Sequence, residues 1–215
     1  MRAMVPIPVI VPIRFYGFDT AIYAFAAIIG FAIAYKACRL HEFSGKREHL
    51  CMATAFTILS MSLATLALTS GYTYFSYFTQ GSCCVFDQIF SIDDVGYWIY
   101  FIASVVSYSL LAISYMPKTK KGLLLPAVFM TTTYFSYFNV LLFFLMSFVA
   151  FNATKHWYEK KNLNSGLVAS GFLLIAAYHA ALPFAMFSKL LYVAGHFGLV
   201  LGFAALLVML IRTTK

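Results

Sequence analysis

Two histidines carry the sharpest chemical signal in this sequence. His179 and His196 stand in uncharged apolar runs on either side of a turn centred near Ser188, nine residues before it and eight after. Helices meeting at that turn would hold both rings at one depth, roughly 10–13 Å from the helix ends at 1.5 Å of rise per residue. Two imidazoles at one depth admit three chemistries. They can ligate a haem or a metal through neutral ring nitrogens. They can bind a ligand or relay a proton. They can also join helices, each bonding a carbonyl or hydroxyl, with Tyr178, Tyr192 and Ser170 near in sequence. A haem between neighbouring antiparallel helices is crowded, because such helices sit about 8–10 Å apart. Metals generally add Cys or carboxylate ligands, and none is expected at that depth. Gly195, Gly198 and Gly202 flank His196, and Gly198-xxx-Gly202 lets a partner helix approach closely.

A second group of candidates sits in Gln80–Asp94, which reads as the longest outer loop. Cys83-Cys84 lies there with Asp87, Asp93 and Asp94, a surface for a partner or a polar ligand. A vicinal disulfide would be strained, which leaves an intermolecular disulfide, lipidation, redox sensing or a free pair. The regularly spaced oxygens and glycine of a calcium loop are absent. The hexapeptide Thr73–Phe78 recurs letter for letter as Thr133–Phe138. Tyr74 and Tyr134 open the two copies, either as members of an interfacial aromatic belt or as a ligand surface. His41, His49 and His156 fall among basic loop residues with no metal-spaced companions. Cys38 and Cys51 flank a basic loop and are expected as reduced thiols. His196–Gly202 resembles the histidine helix of rhomboid proteases. The Gly-x-Ser-Gly setting of their nucleophile is missing, since Leu68 and Val168 occupy the first glycine's place before Ser70-Gly71 and Ser170-Gly171. No catalytic residue is assigned.

The elements that must position these groups follow from composition. Of 215 residues 62% are hydrophobic and only 10% charged, where soluble domains carry about 25% charged residues. That excludes an ordinary soluble domain and any disordered or fibrous class, and points to a polytopic all-α membrane bundle. Seven apolar runs can be placed, at about Gly17–Cys38, His49–Tyr72, Val95–Met116, two within Gly122–Thr154, Ser165–Phe187 and Leu190–Ile211. The stretch Gly122–Thr154 is short for two spans of about 20 residues. A hairpin there keeps Lys118, Lys120 and Lys121 on one side with Lys155, Lys160 and Lys161. Seven spans then put twelve Lys and Arg on one side and only Arg2, Arg14 and Lys189 on the other. The N-terminus is therefore expected outside and the C-terminus in the cytoplasm. Basic loops also account for the net charge of +8 without a nucleic-acid partner. Residues 1–16 read as an outer apolar segment. Pro6, Pro8 and Pro12 break any signal-peptide helix. Residues 17–212 form the membrane domain and 213–215 a cytoplasmic tail.

Two further features shape the functional expectation. Ala34–Leu66 is echoed by Ala150–Leu182 at an offset of 116, with Ala37/Ala153, Ala53/Ala169, Phe56/Phe172, Ala64/Ala180 and Leu66/Leu182 matched. This suggests duplicated hairpins running parallel, an arrangement found in transporters but not confined to them. The threading also leaves no Asp, Glu, Lys or Arg in the membrane interior, with all four Asp on the outer side. That argues against an ion-coupled carrier and a retinal protein, since Lys189 sits at the mouth of its helix. The pattern Ala34-Tyr-Lys-Ala-Cys-Arg-Leu40, the turn Ser44-Gly-Lys-Arg47 and the run Ala55–Ser62, with its echo Ala169–Leu174, resembles uncharacterised seven-helix membrane proteins of archaea. The resemblance implies fold and topology and no activity. The expectation is a non-enzymatic multi-pass protein of the cell membrane, a receptor, sensor or subunit of a larger assembly. Its partners would be the lipid bilayer and other membrane proteins or a second copy. The alternatives are a haem- or metal-binding redox protein using His179 and His196, and a facilitator for an apolar or neutral solute.

Overall fold

The computed structural model describes residues 16–80, 86–115, 138–184 and 188–213. All of the described secondary structure is helical. The helices are α1 (Tyr16–Ser44), α2 (Arg47–Gln80), α3 (Phe86–Tyr115), α4 (Phe138–Lys160), α5 (Leu163–Ala181) and α6 (Lys189–Thr213), with a 3-10 turn at Leu182–Phe184 after α5. Each of the six is long and apolar enough to cross a membrane. The expected fourth span, the residues 1–15 of the outer segment, Cys83, Cys84 and Tyr134 lie outside the described residues.

Contacts close the six helices into a ring, in the order α1, α2, α3, α4, α5, α6 and back to α1. The ends of Lys155, Lys160, Glu48, Tyr115 and Thr213 meet around one cavity. Helices α1, α3, α4 and α6 therefore direct their C-termini to this basic end, and α2 and α5 their N-termini. Successive helices α3 and α4 run parallel.

The ring is apolar on both sides, with Phe56, Leu63, Phe172 and Phe203 filling its core. Large apolar side chains such as Phe25, Ile28, Phe31, Leu68, Ile102, Phe144, Phe151 and Leu201 face outward. Small residues face inward and let helices touch: Ala26, Ala34 and Ala37 on α1, Ala53 and Ala55 on α2, Ala150 and Ala153 on α4. A Cβ on Gly30 would collide with Ser60 Oγ across the α1–α2 contact. The expected glycine contact between the last two helices is present. A Cβ on Gly202 would lie 2.8 Å from the Gly171 carbonyl oxygen, so the α5 and α6 backbones touch there.

The hairpin echo has a structural counterpart. Gly45 ends α1 at φ 64°, and its N–H donates to the His41 carbonyl at 2.8 Å. Lys161 ends α4 at φ 48°, and its N–H donates to the Trp157 carbonyl at 2.7 Å. Both turns use the left-handed cap that breaks a helix, and the two are 116 residues apart, the offset of the sequence echo. Asn162 then caps α5, its Oδ1 accepting the Ser165 N–H at 2.7 Å.

Two expectations are corrected. Gln80–Asp94 is not a long loop, because α2 runs to Gln80 and α3 starts at Phe86, so that Asp87, Asp93 and Asp94 belong to α3. Reading helix ends from hydropathy stops at the edge of the hydrocarbon. The 34 residues of α2 reach about 51 Å, beyond a core of about 30 Å, since α2 and α3 keep packing on each other past it. The interior is also not free of carboxylates. Asp19 is 1% exposed and Asp93 is 8% exposed, both inside candidate spans.

Candidate functional site

The interior stripe of α3 is polar over four turns. Asp93, Tyr97, Tyr100, Ser104, Ser107 and Tyr108 follow the three- and four-residue steps of one helix face. Val95, Trp98, Ile99, Ile102 and Val106 occupy the opposite, exposed face. A membrane helix that turns its hydroxyls inward needs partners there, and the other five helices supply polar groups.

On α1 and α6 these groups form one cluster near the far end. Tyr192 Oη donates to Asp19 Oδ1 at 2.5 Å. Asp19 Oδ1 lies 3.9 Å from His196 Nε2. His196 Nδ1 is 2.9 Å from the Tyr192 carbonyl oxygen, which can only accept, so Nδ1 carries the hydrogen. That leaves His196 Nε2 to accept from Tyr23 Oη at 3.2 Å. On α2, Ser70 Oγ donates to Asp93 Oδ1 at 3.5 Å. Asp93 is close enough to Asp19 for their charges to interact.

At a similar level the second histidine repeats the pattern. His179 Nδ1 faces Asn139 Oδ1 at 3.4 Å, and its Nε2 accepts from Tyr108 Oη at 2.9 Å. This joins α5 to both α4 and α3. Tyr178 links the two halves, with its ring centroid 4.9 Å from that of His179 and 5.2 Å from that of His196. Tyr100 Oη faces Ser104, Tyr108 and Tyr178.

Several of these buried hydroxyls have no bonding partner. Among the described residues Tyr100 Oη, Ser104 Oγ and Ser107 Oγ are buried and make no hydrogen bond of good geometry, although Tyr100 Oη lies near the hydroxyls of Ser104, Tyr108 and Tyr178. Thr73 Oγ1 on α2 and Ser109 Oγ on α3 are also unbonded, whereas several other hydroxyls return to their own helix: Ser60 to Phe56, Thr57 to Ala53, Ser114 to Leu111 and Thr154 to Ala150. A buried hydroxyl without a partner costs about 1–3 kcal/mol. Three on one stripe mark a place that favours a hydrogen-bonding guest.

Below this stripe, at the basic end, a cavity of about 760 Å³ opens. Its rim carries Glu48, His49, Lys155, His156 and Glu159, and its roof is made by Leu111, Phe172 and Leu210. These three roof residues are buried, and Tyr115 packs edge-on against Phe172 at 6.2 Å. One turn of α3 separates Leu111 from Ser107 and Tyr108.

The expected histidine pair is thus brought to neighbouring positions but not face to face. Tyr178 stands between the rings, and each imidazole looks toward different helices. All four ring nitrogens are engaged, by two tyrosine hydroxyls, a backbone carbonyl and Asn139. This donor set does not fit bis-histidine haem ligation, which needs an open nitrogen on each of two opposed rings. Among the described residues no group of three His, Cys, Asp or Glu could hold a metal ion. Tyr74, at the far end, lies against Gly17 and packs on Phe78 with centroids 4.8 Å apart. Asp94 is half-buried beside Asp93, and the Asp87 backbone lies in the first turn of α3. Cys38 is exposed and Cys51 half-buried, both as free thiols.

Asp19, Tyr23, Tyr100, Ser104, Tyr108 and Asn139 escaped the sequence reading, and Asp93 was expected on an outer loop rather than on the inner face of α3. The signal was available on α3, where polar residues recur at helical spacing inside an apolar run. No family model matches the chain, and neither the curated proteins nor the solved structures yield a match.

Proposed function

We propose that this chain is a non-enzymatic seven-helix protein of the cell membrane, N-terminus outside and C-terminus cytoplasmic, that lets a small uncharged polar solute pass along its axis. The observation that carries this reading is the inward polar stripe of α3 with its unbonded hydroxyls at Tyr100, Ser104 and Ser107. Hydroxyl, amide and imidazole groups at mid-depth suit a neutral hydrogen-bonding solute, and the basic-end cavity would be its cytoplasmic mouth. The parallel run of α3 and α4 favours a seventh crossing by residues 116–137, whose 22 positions would rise about 33 Å as a helix. The matched turns at Gly45 and Lys161 favour two parallel three-helix units on either side of that crossing, a plan that membrane carriers use. The twelve basic residues on one side support the orientation.

Proteoliposomes test this by stopped-flow light scattering with glycerol, erythritol, urea and D-xylose. Faster solute entry than in empty liposomes for at least one of them is expected, and its loss in Ser104→Leu. Rates equal to empty liposomes for all four would contradict the reading. A receptor or sensor is the second reading. It is favoured by the bonds from Tyr192 to Asp19 and from Tyr23 to His196, which latch the first and last helices and which a bound ligand would release.

A further inference from the structure

The cluster at the far end does more than hold α1 to α6. We propose that Asp19 takes up a proton from the water on the far side and that His196 is the first acceptor of that proton inside the bundle. The inference rests on reading the axis as a polar path, and it adds a coupling ion that the solute alone does not require. Buried ionisable groups in a membrane bundle are costly and commonly mark proton routes.

The geometry is arranged for a transfer. Asp19 is 1% exposed and His196 is fully buried, with Asp19 Oδ1 3.9 Å from Nε2. Tyr192 binds both partners, donating its hydroxyl to Asp19 and accepting His196 Nδ1–H at its carbonyl. The groups facing Asp19 are Asp93 of α3, Tyr192 and His196 of α6 and Tyr23 of its own helix, with Ser70 of α2 bonded to Asp93, while Tyr97 of α3 and Tyr178 of α5 face Tyr23. Lys189 opens α6 but is exposed.

The step balances within these residues. The O–H bond of the Asp19 carboxylic acid breaks, and its proton bonds to the lone pair of His196 Nε2. A carboxylate and an imidazolium result, side by side. Tyr192 Oη continues to donate to the carboxylate, and Nδ1–H continues to donate to the Tyr192 carbonyl. Before the transfer Tyr23 Oη must turn away, because its hydrogen occupies the Nε2 lone pair, and the 3.9 Å between Asp19 Oδ1 and Nε2 must shorten. Tyr23 is in turn packed near Tyr178, and Tyr178 faces Tyr100. Tyr100 in turn faces Tyr108, which bonds His179, so these hydroxyls lead from the cluster toward the second histidine.

The test uses the proton alone as probe. Proteoliposomes adsorbed on a solid-supported membrane are given a pH step with no solute present. A transient displacement current is expected in the parent protein, at least tenfold smaller in Asp19→Asn and strongly reduced in His196→Gln. Glu42→Gln, in an exposed pair with Arg39 away from the cavity, is expected to match the parent. An undiminished transient in Asp19→Asn, or none in the parent, would overturn the proposal. Should Asp19→Asn fail to fold, infrared difference spectra of the parent across the same step decide. A carboxylic-acid band shielded from water that shifts in Tyr192→Phe supports the assignment, and no such band overturns it. Solute entry without a transient would leave the polar path standing and remove only the proton. A transient without solute entry would do the reverse.

Discussion

The closest backbone approach in the bundle gives the most quantitative prediction. Gly202 faces α5 so tightly that an added Cβ would sit 2.8 Å from the Gly171 carbonyl oxygen and 2.9 Å from Ile175 Cγ1. The carbonyl belongs to backbone and cannot swing aside, so Gly202→Ala forces α5 and α6 apart. Overpacking of this kind costs about 1–3 kcal/mol. Gly198 lies one turn earlier on the same face, and its nearest new contact would be the Leu174 carbonyl oxygen at 3.6 Å, ordinary packing distance. Both substitutions gain the same helix propensity, about 1 kcal/mol for Gly to Ala. The difference between the two variants therefore isolates the steric cost. Gly202→Ala is expected to be about 1–3 kcal/mol less stable than Gly198→Ala, measured by unfolding in mixed micelles with increasing denaturing detergent. Equal stabilities would refute the argument that backbone contact at Gly202 and Gly171 sets the α5–α6 spacing.

Removing the Tyr108 hydroxyl by Tyr108→Phe leaves His179 Nε2 as an unpaired buried acceptor. A loss of about 1–3 kcal/mol is expected in the same assay, and an unchanged midpoint would show that the bond is not formed. Asn162→Ala removes the oxygen that accepts the Ser165 N–H and Oγ–H. It should cost about 1 kcal/mol and speed hydrogen exchange at the first turn of α5 alone; protection unchanged there would contradict the cap.

What the sequence disclosed and what it withheld divide along physical lines. Hydropathy runs are local, so six spans and the hairpin turns were legible, as was the close approach at Gly198-xxx-Gly202. The pairing of residues is not local. Tyr23 and His196 stand 173 positions apart, as do Asp19 and Tyr192, and only the parallel contact of the first and last helices reveals both. Asp19 and Asp93 were misplaced for a related reason. Both sit near the hydrocarbon edge, where a sequence window cannot tell a solvated carboxylate from one turned inward and bonded by Tyr192 or Ser70. The two histidines stood out in the sequence as imidazoles within apolar runs, and both are buried. Their partners Tyr23, Tyr108 and Asn139 come from other helices, at positions distant in the chain that no local pattern brings near.

The central claim is that the inward stripe of α3 lines a water-accessible path, and cysteine labelling tests it most directly. Cysteines are introduced singly at Tyr100, Ser104, Ser107, Ile102 and Val106 in a background with Cys38, Cys51, Cys83 and Cys84 replaced by serine. Membranes are then treated with a small hydrophilic thiol reagent. The account expects modification at positions 100, 104 and 107 and protection at 102 and 106, which face lipid. Protection at all five positions, or modification only on the lipid face, would contradict it.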